Sequence, residues 1–84
     1  MRRNPYKIIE NEPITGFSNA NLFNSDGEVI GCSLVEFEYQ FNELLGHTNV
    51  ISYNVLGEMP DKEDIRYAIE AEVGGIYEWP LDLI

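Results

Sequence analysis

Apolar and polar positions change period several times along this chain, and each change marks an expected element. Tyr6 to Glu10 reads as a short strand that Asn11-Glu12-Pro13 stops. Residues 14–23 give no clear period: Gly16 and the Asn19-Ala20-Asn21 cluster suggest a loop that runs into a short strand at Leu22-Phe23. Asn24-Ser25-Asp26-Gly27 is the clearest turn, because Asp-Gly between apolar runs is the strongest local hairpin signal. It joins Leu22-Phe23 to Glu28-Val29-Ile30.

Val35, Phe37, Tyr39 and Phe41 then alternate with Glu36, Glu38 and Gln40, the period of a half-buried strand. A helix fits the same stretch. Ser33 to Glu36 has capping-box spacing, Leu34, Phe37, Phe41, Leu44 and Leu45 recur at helical spacing, and Gly46 could close the helix. The β-branched and aromatic content favours the strand over residues 35–41. Passing from Ile30-Cys32-Leu34 to Val35-Phe37 changes phase, which on a strand calls for a bulge near Ser33. Residues 49–56 form another β-favouring run with Ile51, Tyr53 and Val55 on one face. Residues 61–73 are the firmest helix. Asp61 can cap it, Glu63 and Asp64 suit its N-terminal dipole, Ile65, Ala68, Ile69 and Val73 make one stripe, and Gly74-Gly75 ends it. Ile76 to Trp79 is a last short strand before Pro80, and the apolar tail 81–84 must dock or stay exposed. The expected fold is α+β: one domain over residues 1–84, a small antiparallel sheet of about four strands, and one C-terminal helix packed on it.

Composition narrows the class. With 84 residues there is room for one domain and one modest core. At 44% hydrophobic and 12% aromatic residues, the chain is too rich in large apolar groups for a disordered acidic tail. No apolar run is long enough to span a bilayer, and no apolar h-region follows the basic N-terminus. Cys32 is the single cysteine, so no internal disulfide can form, and a reducing, cytoplasmic setting is expected.

Charge is the dominant compositional feature. The formal net charge is -10, from fifteen acids and five bases. Arg2, Arg3 and Lys7 lie in the first seven residues, and no Lys or Arg occurs from residue 8 to residue 61. The chain is thus a +3 arm on a body of net -13. A field of that sign disfavours direct binding to nucleic acid or an anionic membrane, and attracts a basic protein surface.

Candidate chemistry is sparse. His47, the only histidine, sits in an expected turn, and Cys32 lacks a basic neighbour to lower its pKa, its apolar flanks pointing to inert burial. Nothing in their spacing calls for a Cys32–His47 pair. Asn24 to Gly27 resembles the middle of an EF-hand loop, but Leu22 and Ser33 would then occupy the outer ligand positions. No metal, cofactor or phosphate site is expected, and no enzymatic activity.

A surface argument is left. On a strand, Glu36 and Glu38 project from one face about 6–7 Å apart. Glu28, Glu63, Asp64 and Glu70 extend the acidic surface, at a charge density comparable to a nucleic-acid backbone. In size and charge the chain resembles the small acidic proteins that phages direct against host nucleic-acid enzymes: inhibitors of uracil-DNA glycosylase, anti-restriction proteins and anti-CRISPR proteins. That resemblance implies a non-enzymatic inhibitor whose carboxylate-lined face occupies the basic nucleic-acid site of a partner, in the host cytoplasm. The alternative is a small accessory subunit or homodimer, with the sheet edge and the tail 81–84 as contacts.

Overall fold

A computed structural model describes residues 12–84, and the strand expected at residues 6–10 lies outside them. The Asn24 turn organises the first hairpin. Its Oδ1 accepts the backbone N–H groups of Asp26 and Glu28, both at 2.9 Å, and Gly27 takes a positive φ of 81°. The turn joins β1 (Ile14–Phe23) to β2 (Val29–Asn42). A second turn, in which Asn42 accepts from Leu45 and Gly46, leads into β3 (His47–Leu56). Residues 35–41 are therefore strand, and Gly46, at φ 70°, belongs to a turn between strands.

The loop expected before Leu22 is instead the body of β1. Its inward positions are Gly16, Ser18, Ala20 and Leu22, whereas Phe17 and Phe23 point outward. At Gly16 the inward space is filled by the Phe37 ring. A Cβ on Gly16 would lie 2.7 Å from Phe37 Cζ. Strand β1 therefore lacks the usual sign of apolar-in, polar-out alternation.

No bulge occurs at Ser33. Strand β2 keeps its phase: Ser33, Val35 and Phe37 are buried, and Cys32 and Leu34 join Glu36 and Glu38 on the opposite face. Burial of Ser33 is satisfied by its hydroxyl, which donates to the Glu58 carbonyl. Register breaks occur elsewhere. Ile30 is extra against Leu22 and Phe23, and Ile51 is extra against Glu38 and Tyr39. The second break switches β3 from Thr48 and Val50 facing inward to Tyr53 and Val55 facing inward. Ile51 is left 47% exposed, away from the face expected to hold it.

Helix α1 (Lys62–Val73) follows Asp61, whose extended backbone supplies the carbonyl for Ile65 N–H while its side chain makes no capping bond. Gly74 ends the helix at φ 61°, its N–H bonded to the Glu70 carbonyl at 2.8 Å. Ile65, Ala68 and Ile69 pack with Ala20, Val35, Phe37, Val50 and Leu83 into one buried cluster, and Trp79 and Val73 flank it. The helix lies chiefly across β1. It also carries the chain over to β4 (Ile76–Glu78), which pairs parallel to β3 through Thr48–Ile76 and Asn49–Glu78. A helical crossover makes such parallel pairing feasible. The sheet order is β1-β2-β3-β4, antiparallel across the first three strands and parallel at the last.

Past Pro80, a short 3-10 helix (Leu81–Leu83) returns the tail to the core. Leu83 is wholly buried and its carbonyl accepts from the Arg66 guanidinium, while Leu81 and Ile84 stay exposed. Tyr53 donates to Asp82 at 3.0 Å, and partial burial, then that carboxylate, raises the Tyr53 hydroxyl pKa. The tail expected to be either core or contact surface is split by residue. Among the described residues, no helix is long and apolar enough to cross a membrane. Over the described residues the backbone extends 60 × 20 × 19 Å, and the fourteen-residue β2, about 46 Å long at the strand rise, is the longest element.

Candidate protein-binding surface

Among the described residues, α1 packs on one side of the sheet and the other face is open. Glu36 and Glu38 project from the middle of that face, since Val35 and Phe37, with which they alternate, point into the core. Phe17 and Thr15 of β1 pair opposite them on one side, and Asn54 and Ser52 of β3 on the other. Ser52 Oγ reaches Glu38 Oε1 at 3.5 Å, and a shallow hollow of about 130 Å³ lies among Glu36, Glu38, Ser52 and Asn54. Leu34 and Leu56, which pair in the next row, add exposed apolar surface.

Glu28 sits apart, at the β1–β2 turn. Its backbone N–H is held by Asn24, whose side-chain amide also donates to Glu28 Oε1 at 3.4 Å.

The helical carboxylates occupy the other side of the sheet. Glu63 accepts from the Tyr67 hydroxyl at 3.0 Å, one turn along the exposed side of α1. That hydrogen bond, and the Glu63 charge, raise the Tyr67 hydroxyl pKa. Glu70 is exposed on the same helix. Asp64 is half-buried and lines a groove of about 370 Å³ between α1 and β1. Asn19, Asn21 and Phe23 form one wall of the groove, and Tyr67, Ala68 and Ala71 the other. Partial desolvation raises the Asp64 pKa, and the nearby charges of Asp61 and Glu63 add to the shift.

The carboxylates singled out in the sequence therefore do not share one face. Glu36 and Glu38 lie on the open face, Glu63, Asp64 and Glu70 on the helix side, and Glu28 at one end. The uncharged strand β1 runs between the first two groups. Over residues 12–84 there are fourteen carboxylates against Lys62 and Arg66, a net of -12, and Arg66 is turned inward to Leu83. Exposed Phe17, Leu34 and Leu56 were not legible as surface, because only the pleat phase sends them outward.

Other candidate chemistry is dispersed. Cys32 is exposed, not buried. Strand alternation puts it with Leu34 on the open face, so its apolar neighbours in sequence do not enclose it. His47 pairs with Asn42, ten residues further along β2, or about 33 Å at the strand rise. The imidazole stacks on Tyr77 at a centroid distance of 4.2 Å. In the Asn24 loop, the side-chain oxygen is committed to backbone N–H groups. Among the described residues, no group of His, Cys, Asp or Glu is placed to hold a metal ion.

Comparison of the chain with known protein families, curated proteins and solved structures finds no match, so a functional reading rests on the chemistry of this surface.

Proposed function

We propose that this protein is a non-enzymatic inhibitor that occupies the basic, nucleic-acid-binding site of a partner protein in the manner of a nucleic-acid mimic. The observation that carries the reading is the distribution of charge. A rod only about 20 Å across carries a net of -12 over residues 12–84 and presents carboxylates on both broad sides. Its one half-buried base, Arg66, is directed into the core. A partner groove built for a polyanion is attracted to such a body from a distance, which speeds association and makes it sensitive to salt. Phage origin and action in the host cytoplasm belong to the same proposal.

The test is capture of partners from the natural host at low and high salt, followed by competition with nucleic acid. The captured protein should bind nucleic acid, and this protein should displace that nucleic acid. Screening contracts from about 10 Å at 0.1 M to about 3 Å at 1 M salt, so the complex should weaken strongly across that range. Reversing charge with Glu36→Lys and Glu38→Lys together should weaken it further. Binding that ignores salt and tolerates the double reversal overturns the reading, as does a partner whose nucleic acid is not displaced.

A further inference from the structure

The two edges of the sheet are finished differently. Strand β4, at one edge, has three residues and is followed closely by Pro80. Strand β1, at the other, has ten residues, no Lys, no Pro and no charged side chain, and its register is regular from Ile14 to Leu22. Natural proteins blunt exposed edges with short strands, prolines, bulges or lysines. Among the described residues, only the first of these edges is blunted.

Among the described residues β1 has a strand on one side only, and the groove containing Asp64 opens along its other side. The groups flanking that edge are acidic above and below. On the open face, Glu36 pairs beside Phe17 and Glu38 beside Thr15, so each is two strand spacings, about 9–10 Å, from a strand added to β1. On the helix side Asp64 lines the groove directly, its neighbours being Asp61 and Glu63.

We infer that β1 is a docking edge that takes an extended, basic segment of the partner as an additional β-strand. Backbone hydrogen bonds to β1 would supply the register, and alternate side chains would face opposite sides of the sheet. Lysine or arginine on one side meets Glu36 and Glu38, and on the other meets Asp64. Because β1 itself is uncharged, pairing buries no carboxylate on the edge. The charge complementarity selects a basic segment over a second copy of this chain, which brings another ten net negative charges. This inference rests on the proposed inhibitor function and specifies how the partner is held.

The probe is a synthetic peptide as long as β1 that repeats Lys-Lys-Val-Val, so that lysines face both sides of the sheet, compared with the same peptide N-methylated at alternate residues in each of the two possible phases. Hydrogen exchange of the full-length protein is followed by NMR. The unmodified peptide should slow exchange at alternate β1 amides by about tenfold or more. N-methylation that removes the inward-facing donors should abolish this protection, although the charge is unchanged. Asp64→Asn and Glu36→Gln should each weaken peptide binding by about threefold, the scale of one exposed ion pair. Absence of peptide binding overturns the inference. Binding without β1 protection, or equal protection by both N-methyl patterns, does so too.

Protection of the same amides in the free protein that rises with its concentration assigns the edge to a second copy. Protection that is independent of concentration assigns it to residues 1–11 of the same chain. Either result overturns the inference. If these peptide tests fail while the captured partner still exchanges with nucleic acid, only the docking edge is lost. If nucleic-acid competition fails, the inhibitor reading is lost.

Discussion

Gly16→Ala sets two physical effects against each other. The residue lies within β1, paired with Phe37, and its backbone is outside the left-handed region. In such a place alanine normally helps, because the unfolded chain loses freedom; the gain is about 0.4–1 kcal/mol. Here the added Cβ falls 2.7 and 2.9 Å from two carbons of the Phe37 ring. Carbon atoms prefer about 3.5–4.0 Å, so the ring or the strand must move by nearly 1 Å. Phe37 is 1% exposed and lies 5.7 Å from the Tyr39 ring, which leaves it little room to swing aside. Overpacking of this kind costs about 1–3 kcal/mol, so the net loss should be about 1–2 kcal/mol. In a domain of this size that lowers the melting temperature by roughly 5–15 °C. Urea unfolding followed by fluorescence of Trp79, which packs beside the core, reports it directly. The midpoint should fall with an unchanged denaturant slope. In a Phe37→Leu background the penalty should shrink or reverse. A midpoint that rises on Gly16→Ala, or an equal penalty in both backgrounds, refutes the account of why position 16 of β1 is glycine.

The tail gives a paired contrast: Leu83→Ala removes a wholly buried side chain and should cost about 2–5 kcal/mol, whereas Ile84→Ala, at a site 77% exposed, should stay within about 0.5 kcal/mol in the same unfolding assay. Equal effects would show that the tail is not core. Asp64 should titrate above its ordinary 3.8 in an NMR pH titration, because desolvation and the charges of Asp61 and Glu63 favour its protonated form. The folded state then holds this proton more tightly than the unfolded chain. The Asp64 contribution to stability is therefore most favourable below its unfolded pKa, and it falls as pH rises through the raised folded value. Asp64→Asn should remove that part of the pH dependence, and a titration at or below 3.8 refutes the assignment.

The elements that were legible in the sequence are those whose signals are local. Asp26-Gly27 marks a turn because glycine tolerates the positive φ it needs. Residues 61–73 mark a helix through stripe, acidic first turn and terminal glycines, and the structure places α1 at Lys62–Val73. Alternation at Val35, Phe37 and Tyr39 identifies β2, whose wet face does carry Glu36 and Glu38. Net charge also needs no structure.

Tertiary packing decided the rest, because the missing information lies between segments distant in sequence. That residues 14–23 are strand rests on their pairing with β2, and glycine at position 16 on the Phe37 ring that fills the space over it, both facts about another strand. Which way Ile51 points depends on a register break against Glu38 and Tyr39. Cys32 and Leu34 face outward because β2 stays in phase through Ser33, whose hydroxyl finds the Glu58 carbonyl. The acidic residues share a sign that composition reveals. Their division between the open face and α1, with uncharged β1 running between, exists only once the helix has packed across the sheet.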